Sequence, residues 1–307
     1  MKKITILTIT FFLAHFTLLT SSQAKADCIA VIPAGWQQEF WHHVVQGARE
    51  AGRDFNVEIR YRAPSKEGST SAQKRIVHAF KDKGCKGFII APIDASLNNE
   101  VATLLDSGIP TVYVDRGTDG KDQTKAIVST DNYAAGYFAG QALSARLGGT
   151  GTVAILRVQK GVVTTDAREQ GFVDAVIEAG LDIQVDEYLG VTAGDAIRTS
   201  GKIIDRLQKV DGLFTPNEAT TEGVLVSLGK DLSTLRPVHI GFDLNEVIAE
   251  GINNGLLHGT VIQDPFGMGY RSVEALVKIL KNTKTTKQIT TPVQMVTKEN
   301  LTAHTGK

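Results

Sequence analysis

Two cysteines in 307 residues are too few for a disulfide-stapled scaffold or for a zinc site with four cysteine ligands. Charge of neither sign dominates, since 33 Lys and Arg face 33 Asp and Glu. Without a basic excess, bulk electrostatics argue against nucleic acid as a partner. No HExxH, GxSxG or P-loop sequence occurs, so three common catalytic and phosphate-binding signatures are missing. Beyond residue 20 no apolar run is long enough to span a bilayer. What remains is ordinary globular composition, 42% hydrophobic and 21% charged, which argues against disorder. At ~150 residues per domain, the length suggests two domains.

The N-terminus has the three parts of an export signal. Lys2 and Lys3 are followed by a mostly apolar stretch from Ile4 to Thr20, and Ala24-Lys25-Ala26 puts small residues before a cleavage point at Asp27. Residues 1–26 are therefore expected to be removed, leaving a soluble protein in a bacterial periplasm. Loss of Lys2, Lys3 and Lys25 leaves 30 bases against 33 acids, a net charge of −3. A lipid anchor needs a small residue before the cysteine, and Asp27 precedes Cys28.

The rest reads as two copies of one α/β pattern. Short β-branched runs begin at Cys28, Asn56, Gly87, Pro110 and Ala126, and again at Thr152, Asp182, Gly212, Pro237 and Gly259. Matched residues (Ile29/Val153, Val57/Ile183, Gly87/Gly212, Pro110/Pro237, Ile127/Val261) are offset by 124, 126, 125, 127 and 134 positions. The near-constant spacing indicates two similar halves. Helical periods fill the gaps, for example over 41–55, 71–82, 133–147 and 167–179. Strands separated by helices imply two doubly wound parallel sheets, each of about five strands, with a cleft beyond their carboxyl ends.

The residues at those ends carry the functional argument. After strand one, Trp36, Phe40 and Trp41 form an aromatic cluster beside Gln38. The rings either pack under the next helix or offer a flat apolar face to the C–H face of a sugar. Asp94 follows strand three, and Asp115-Arg116 follows strand four. In the second half Arg168, Asn217, Asp243 and Gln263 occupy corresponding places. Carboxylates, amides and guanidiniums together satisfy polyol hydroxyls, which both donate and accept. A carboxylate pair among Asp94, Asp115 and Asp243 would also suit a glycosidase, although simple acceptance of hydroxyl hydrogens is the plainer role. Gly148-Gly149-Thr150-Gly151 precedes a strand rather than following one, so it reads as a helix C-cap and turn. His42 and His43 are adjacent on a helix, about 100° apart, and cannot chelate one metal. No metal or cofactor is expected.

Several runs together resemble the periplasmic sugar-binding proteins of the ribose-binding type, which share their fold with the ligand cores of lactose-repressor-type regulators. They are VDRG at 114–117, STDN at 129–132, AREQGF at 167–172, Asn217, GFD at 241–243 and QDP at 263–265. The resemblance spans about 28–301. It implies two lobes that close on a sugar, with Phe40 and Trp41 as stacking rings and Gln38 beside them. Asp115, Arg116, Arg168, Asn217, Asp243 and Gln263 would bond the hydroxyls, with Trp36 and Asp94 as further candidates. Two departures stand out. Gln38-Glu39-Phe40-Trp41 replaces that family's asparagine and Pro-Phe-Phe run, and the stretch that often adds an aromatic reads Val191-Thr192-Ala193-Gly194.

The expected organisation is a first lobe of 28–130 plus 264–289 and a second of 131–263 plus 290–307, joined by three crossings near Thr130, Gln263 and Thr290. The expected function is capture of a monosaccharide for an ABC transporter permease by a non-enzymatic monomer. The alternative is a receptor of the same fold that reports to a histidine kinase or chemoreceptor. Loss of Asp115 or Arg168 should weaken binding and leave fold stability nearly unchanged, the free site being solvated. Flavodoxin-like strand order would make the strands beginning near Cys28 and Cys85 neighbours, which predicts a Cys28–Cys85 disulfide in an oxidising compartment.

Overall fold

The computed structural model describes residues 28–118, 123–229 and 237–305. The proposed export signal lies outside the described residues.

The first part of the chain runs β1 (Cys28–Ile32), α1 (Glu39–Asp54), β2 (Glu58–Tyr61), α2 (Thr70–Asp82), β3 (Gly87–Ile90), α3 (Leu97–Asp106), β4 (Thr111–Val114) and β5 (Ala126–Thr130). The second part repeats the alternation: α4 (Asn132–Leu147), β6 (Thr152–Arg157), α5 (Val163–Glu178), β7 (Asp182–Tyr188), α6 (Ala193–Lys202), α7 (Ile204–Leu207), β8 (Gly212–Phe214), α8 (Glu218–Gly229), β9 (Val238–Phe242), α9 (Glu246–Asn253) and β10 (Gly259–Ile262). The chain closes with α10 (Pro265–Leu280), β11 (Gln288–Thr291), β12 (Gln294–Thr297) and α11 (Thr302–Thr305).

Period-two alternation feeds both faces of each sheet. Ile29 and Val31 enter one core while Ala30 and Ile32 enter another on the opposite face. Val153 and Ile155 are likewise separated from Ala154 and Leu156 in the second sheet. A strand apolar on both sides needs helices on both sides, which is why these runs read as continuous hydrophobics. The sheets have orders β11-β5-β4-β3-β1-β2 and β12-β10-β9-β8-β6-β7. They repeat one another strand for strand.

Among the described residues each sheet has six strands rather than five, and the second is not wholly parallel. β11 pairs parallel to β5, whereas β12 pairs antiparallel to β10. Only residues 292–293 separate β11 from β12. A segment that runs toward the cleft in one sheet and continues straight into the other must run away from the cleft there. The chain thus passes between the sheets after β5, after β10 and after β11. Helix α10, capped by the Asp264 side chain, covers the first sheet and packs on α1. Their approach is so close that a Cβ on Gly47 or Gly269 would overlap the opposing backbone. The same holds for Gly136 and Gly171 where α4 crosses α5, and this contact holds the backbone of Arg168 against α4.

Cys28 and Cys85 lie at neighbouring starts of β1 and β3, with Cα atoms 4.5 Å apart and sulfurs joined at 1.95 Å. Gly148, with φ of +70°, caps α4, in keeping with the glycine cluster as a helix end. No described helix is long and apolar enough to cross a membrane.

Candidate functional site

A cleft opens at the carboxyl ends of both sheets. About 640 Å³ lies between its walls, solvent at the mouth included. Gln38, Phe40, Trp41, Asp115, Arg116, Arg168, Asn217, Asp243 and Gln263 all line it. Strands that start in register deliver the residues after them to one place, so loops distant in sequence converge.

Symmetry is most visible at the two aspartates. Asp115 follows β4 and Asp243 follows β9, and both have φ of +68°. Each donates its backbone N–H to the neighbouring strand at 2.8 Å, Asp115 to Val128 and Asp243 to Val261. A left-handed backbone at a non-glycine residue costs about 1–3 kcal/mol and clusters at functional sites. Here it turns each carboxylate inward at the strand end.

Arg116 is held on both sides. Its Nε donates to Asp115 Oδ2 at 2.7 Å and its Nη2 lies 2.9 Å from Glu67. Burial works against its charge, but the two carboxylates outweigh burial and raise its pKa. Its guanidinium also sits 5.6 Å from the Trp41 ring centre. Phe40 and Trp41 meet edge to face at 4.9 Å, at the first turn of α1.

Arg168 organises the second half. Nε donates to Asn132 Oδ1 at 2.8 Å, Nη1 to the Pro216 carbonyl at 2.9 Å and Nη2 to Gln263 Oε1 at 2.8 Å. The guanidinium lies 4.0 Å from the centre of the Phe242 ring. Burial lowers its pKa from the usual arginine value, opposed chiefly by Asp243. Gln263 also accepts from Thr130 Oγ1 at 2.9 Å and donates to Asp243 Oδ1 at 2.7 Å. Burial raises the pKa of Asp243, while Arg168, Gln263 and the Glu218 N–H pull it back. The expectation that the Arg168 site is solvated is therefore corrected. The side chain is 3% exposed and ties together the ends of β5, β8 and β10.

The chain matches the periplasmic binding protein domain over residues 29–284. It belongs to the periplasmic binding protein family. It is similar to the D-allose-binding periplasmic protein of Escherichia coli K12, 24% identical over 281 residues that cover 89% of this chain and 90% of that one. Among solved structures, the periplasmic component of an ABC-type sugar transport system from Hahella chejuensis superposes with a TM-score of 0.83 at 30% identity, covering 88% of this chain and all of that one. A carbohydrate transporter solute binding protein from Agrobacterium radiobacter, in complex with D-arabinose, gives 0.84 at 26% identity, with 91% and 97% covered.

In this member of the family, two expected residues stay outside the cleft. Trp36 is 36% exposed and stacks on Tyr61 with centroids 5.6 Å apart. Asp94 accepts from the Ser96 N–H at 2.8 Å and from Thr70, which commits it to the turn before α3. Other lining residues escaped the sequence reading. Glu67 comes from the loop after β2, and nothing in its local sequence marks it. Thr164 and Thr165 line the wall because α5 begins at Val163, one turn earlier than its apolar period suggests. Asp166, in that first turn, accepts from the Gly161 N–H at 2.9 Å. Val158, Val162 and Val191 add aliphatic surface to the same cleft, beside those threonines.

Proposed function

We propose that the protein is an exported receptor that closes on an uncharged monosaccharide and presents it to an ABC permease. The supporting observation is the charge pattern of the cleft. Arg116 is already paired with Asp115 and Glu67, and Arg168 is spent on three neutral acceptors in the field of Asp243. Among the described residues that line the cleft, no cation is left over for a phosphate or carboxylate, while hydroxyls meet both donors and acceptors. Phe40, Trp41 and the valines supply apolar surface.

In this reading 28–130 with 264–289 forms one lobe and 131–263 with 290–307 the other. Closure proceeds about the three crossings. The nine sequence-predicted residues that line the cleft contact the sugar. The protein acts as a monomer after cleavage near Ala26, in the periplasm, and performs no turnover. The relatives named for D-allose and seen with D-arabinose make aldoses the first ligands to try.

A thermal-shift screen tests this. Ligand at a hundredfold over Kd stabilises the folded state by about 2.7 kcal/mol. D-allose, D-ribose and D-arabinose should be compared with glucose 6-phosphate and glucuronate. The reading requires a shift with a neutral sugar. A shift only with the charged sugars refutes it, and hydrolysis of an aryl glycoside refutes the non-enzymatic assignment.

A further inference from the structure

A helix leaves its first N–H groups without intrahelical acceptors. The residue before α1 does not provide one, because Gln38 makes no side-chain cap bond. The acceptor comes from the other sheet's half of the molecule. Glu218, at the start of α8, places Oε1 3.0 Å from the Glu39 nitrogen and Oε2 3.1 Å from the Phe40 nitrogen. These partners are 179 and 178 residues apart in sequence. The Glu218 side chain is buried, and its own N–H donates to Asp243 Oδ2 at 3.0 Å. Asn245 Nδ2 approaches Oε1 at 3.5 Å and donates to Glu222 at 2.9 Å. The carboxylate that caps the ring-bearing helix thus hangs from the same aspartate that Gln263 holds.

We infer that Glu218 is an interlobe latch, a positioning residue that caps α1 from the opposite lobe and so sets Phe40 and Trp41 in the closed cleft. The inference rests on the proposal that two lobes close around a sugar. One partner of each bond belongs to each lobe, so the bonds exist only when the lobes are together. In the open form the carboxylate and both amides are hydrated. Loss of the latch therefore acts on opening, not on the folding of either lobe. Affinity should fall through faster release, since most affinity differences within one interface lie in the dissociation rate.

The test uses the full mature protein. Amide hydrogen exchange is followed at Glu39 and Phe40, with Val44 and Val45 in the middle of α1 as internal controls. In Glu218→Ala the first two amides should lose protection while the controls keep theirs. With the sugar found by the thermal-shift screen, release should accelerate roughly 5- to 150-fold, the range expected for two lost hydrogen bonds. Association should change much less than release. Glu218→Gln retains one acceptor and should fall between, and it serves alone if Glu218→Ala does not fold. Unchanged exchange and release overturn the latch. So does loss of protection along all of α1, which would mark a structural role, and so does absence of protection at both amides in wild type, free or with sugar. If wild type binds no sugar, the proposed function fails while the exchange comparison still decides the latch.

Discussion

Arg168→Met keeps most of the side-chain volume and removes every donor. In the structure it strips the Pro216 carbonyl of its side-chain donor, takes one of two donors from Gln263 Oε1 and releases Asn132. A buried polar group left unsatisfied costs about 1–3 kcal/mol. Loss of the cation over Phe242 adds roughly 0.5–2 kcal/mol. Gln263 keeps Thr130, and the half-buried Asn132 can turn to water, so about 3 kcal/mol is a reasonable total. At ~2–4 °C per kcal/mol for chains of this order, the melting temperature should drop by about 6–12 °C without ligand. Sugar affinity should fall about 10- to 150-fold, as for a hydrogen bond to a charged group. Arg168→Lys should lie closer to Met than to wild type, because one ammonium cannot serve three acceptors in a fork. Calorimetry of the free protein and titration with the identified sugar check both numbers. A variant that melts within about 1 °C of wild type would show that Arg168 does not clamp the strand ends, and the reasoning from burial and partners would fail.

Denatured but unreduced protein should show no reactive thiol, and two would exclude the Cys28–Cys85 bridge. With a sequence separation of 57, reduction should cost about 4 kcal/mol at most, read as a lowered urea midpoint. Sugar should change tryptophan fluorescence in Trp36→Phe and not in Trp41→Phe, because only Trp41 lines the cleft; the opposite pattern would move the site. Burial pushes the pKa of His239 down to about 3, against ~6.5 in an unfolded chain. The unfolded chain then binds the extra proton between those values. This contribution to stability is complete above about pH 6.5 and declines toward pH 3, by up to ~1.4 kcal/mol per unit. Urea midpoints for wild type and His239→Gln across pH 7 to 4.5 should converge in acid, and parallel curves would contradict the assignment.

The linear chain determined the architecture to a large extent. Runs such as Cys28–Ile32 and Thr152–Arg157 are apolar on both faces, so they demand helices above and below. Their regular spacing exposed the duplication, and strand order then carried the polar residues after β4, β8, β9 and β10 to one rim. These are consequences of local periodicity, which a single sequence displays. Three features were decided elsewhere. The left-handed backbone at Asp115 and Asp243 arises from pairing with the next strand, which no local signal at an aspartate announces. The antiparallel β12 follows from the direction in which a crossing segment enters the second sheet, not from its own residues. Glu67 reaches Arg116, and Glu218 reaches α1, only because folding brings together segments whose separation in the chain bears no relation to their charge. Trp36 and Asp94 show the converse: their residue types suited the cleft, but neighbours a few ångströms away, Tyr61 and Ser96, claimed them first.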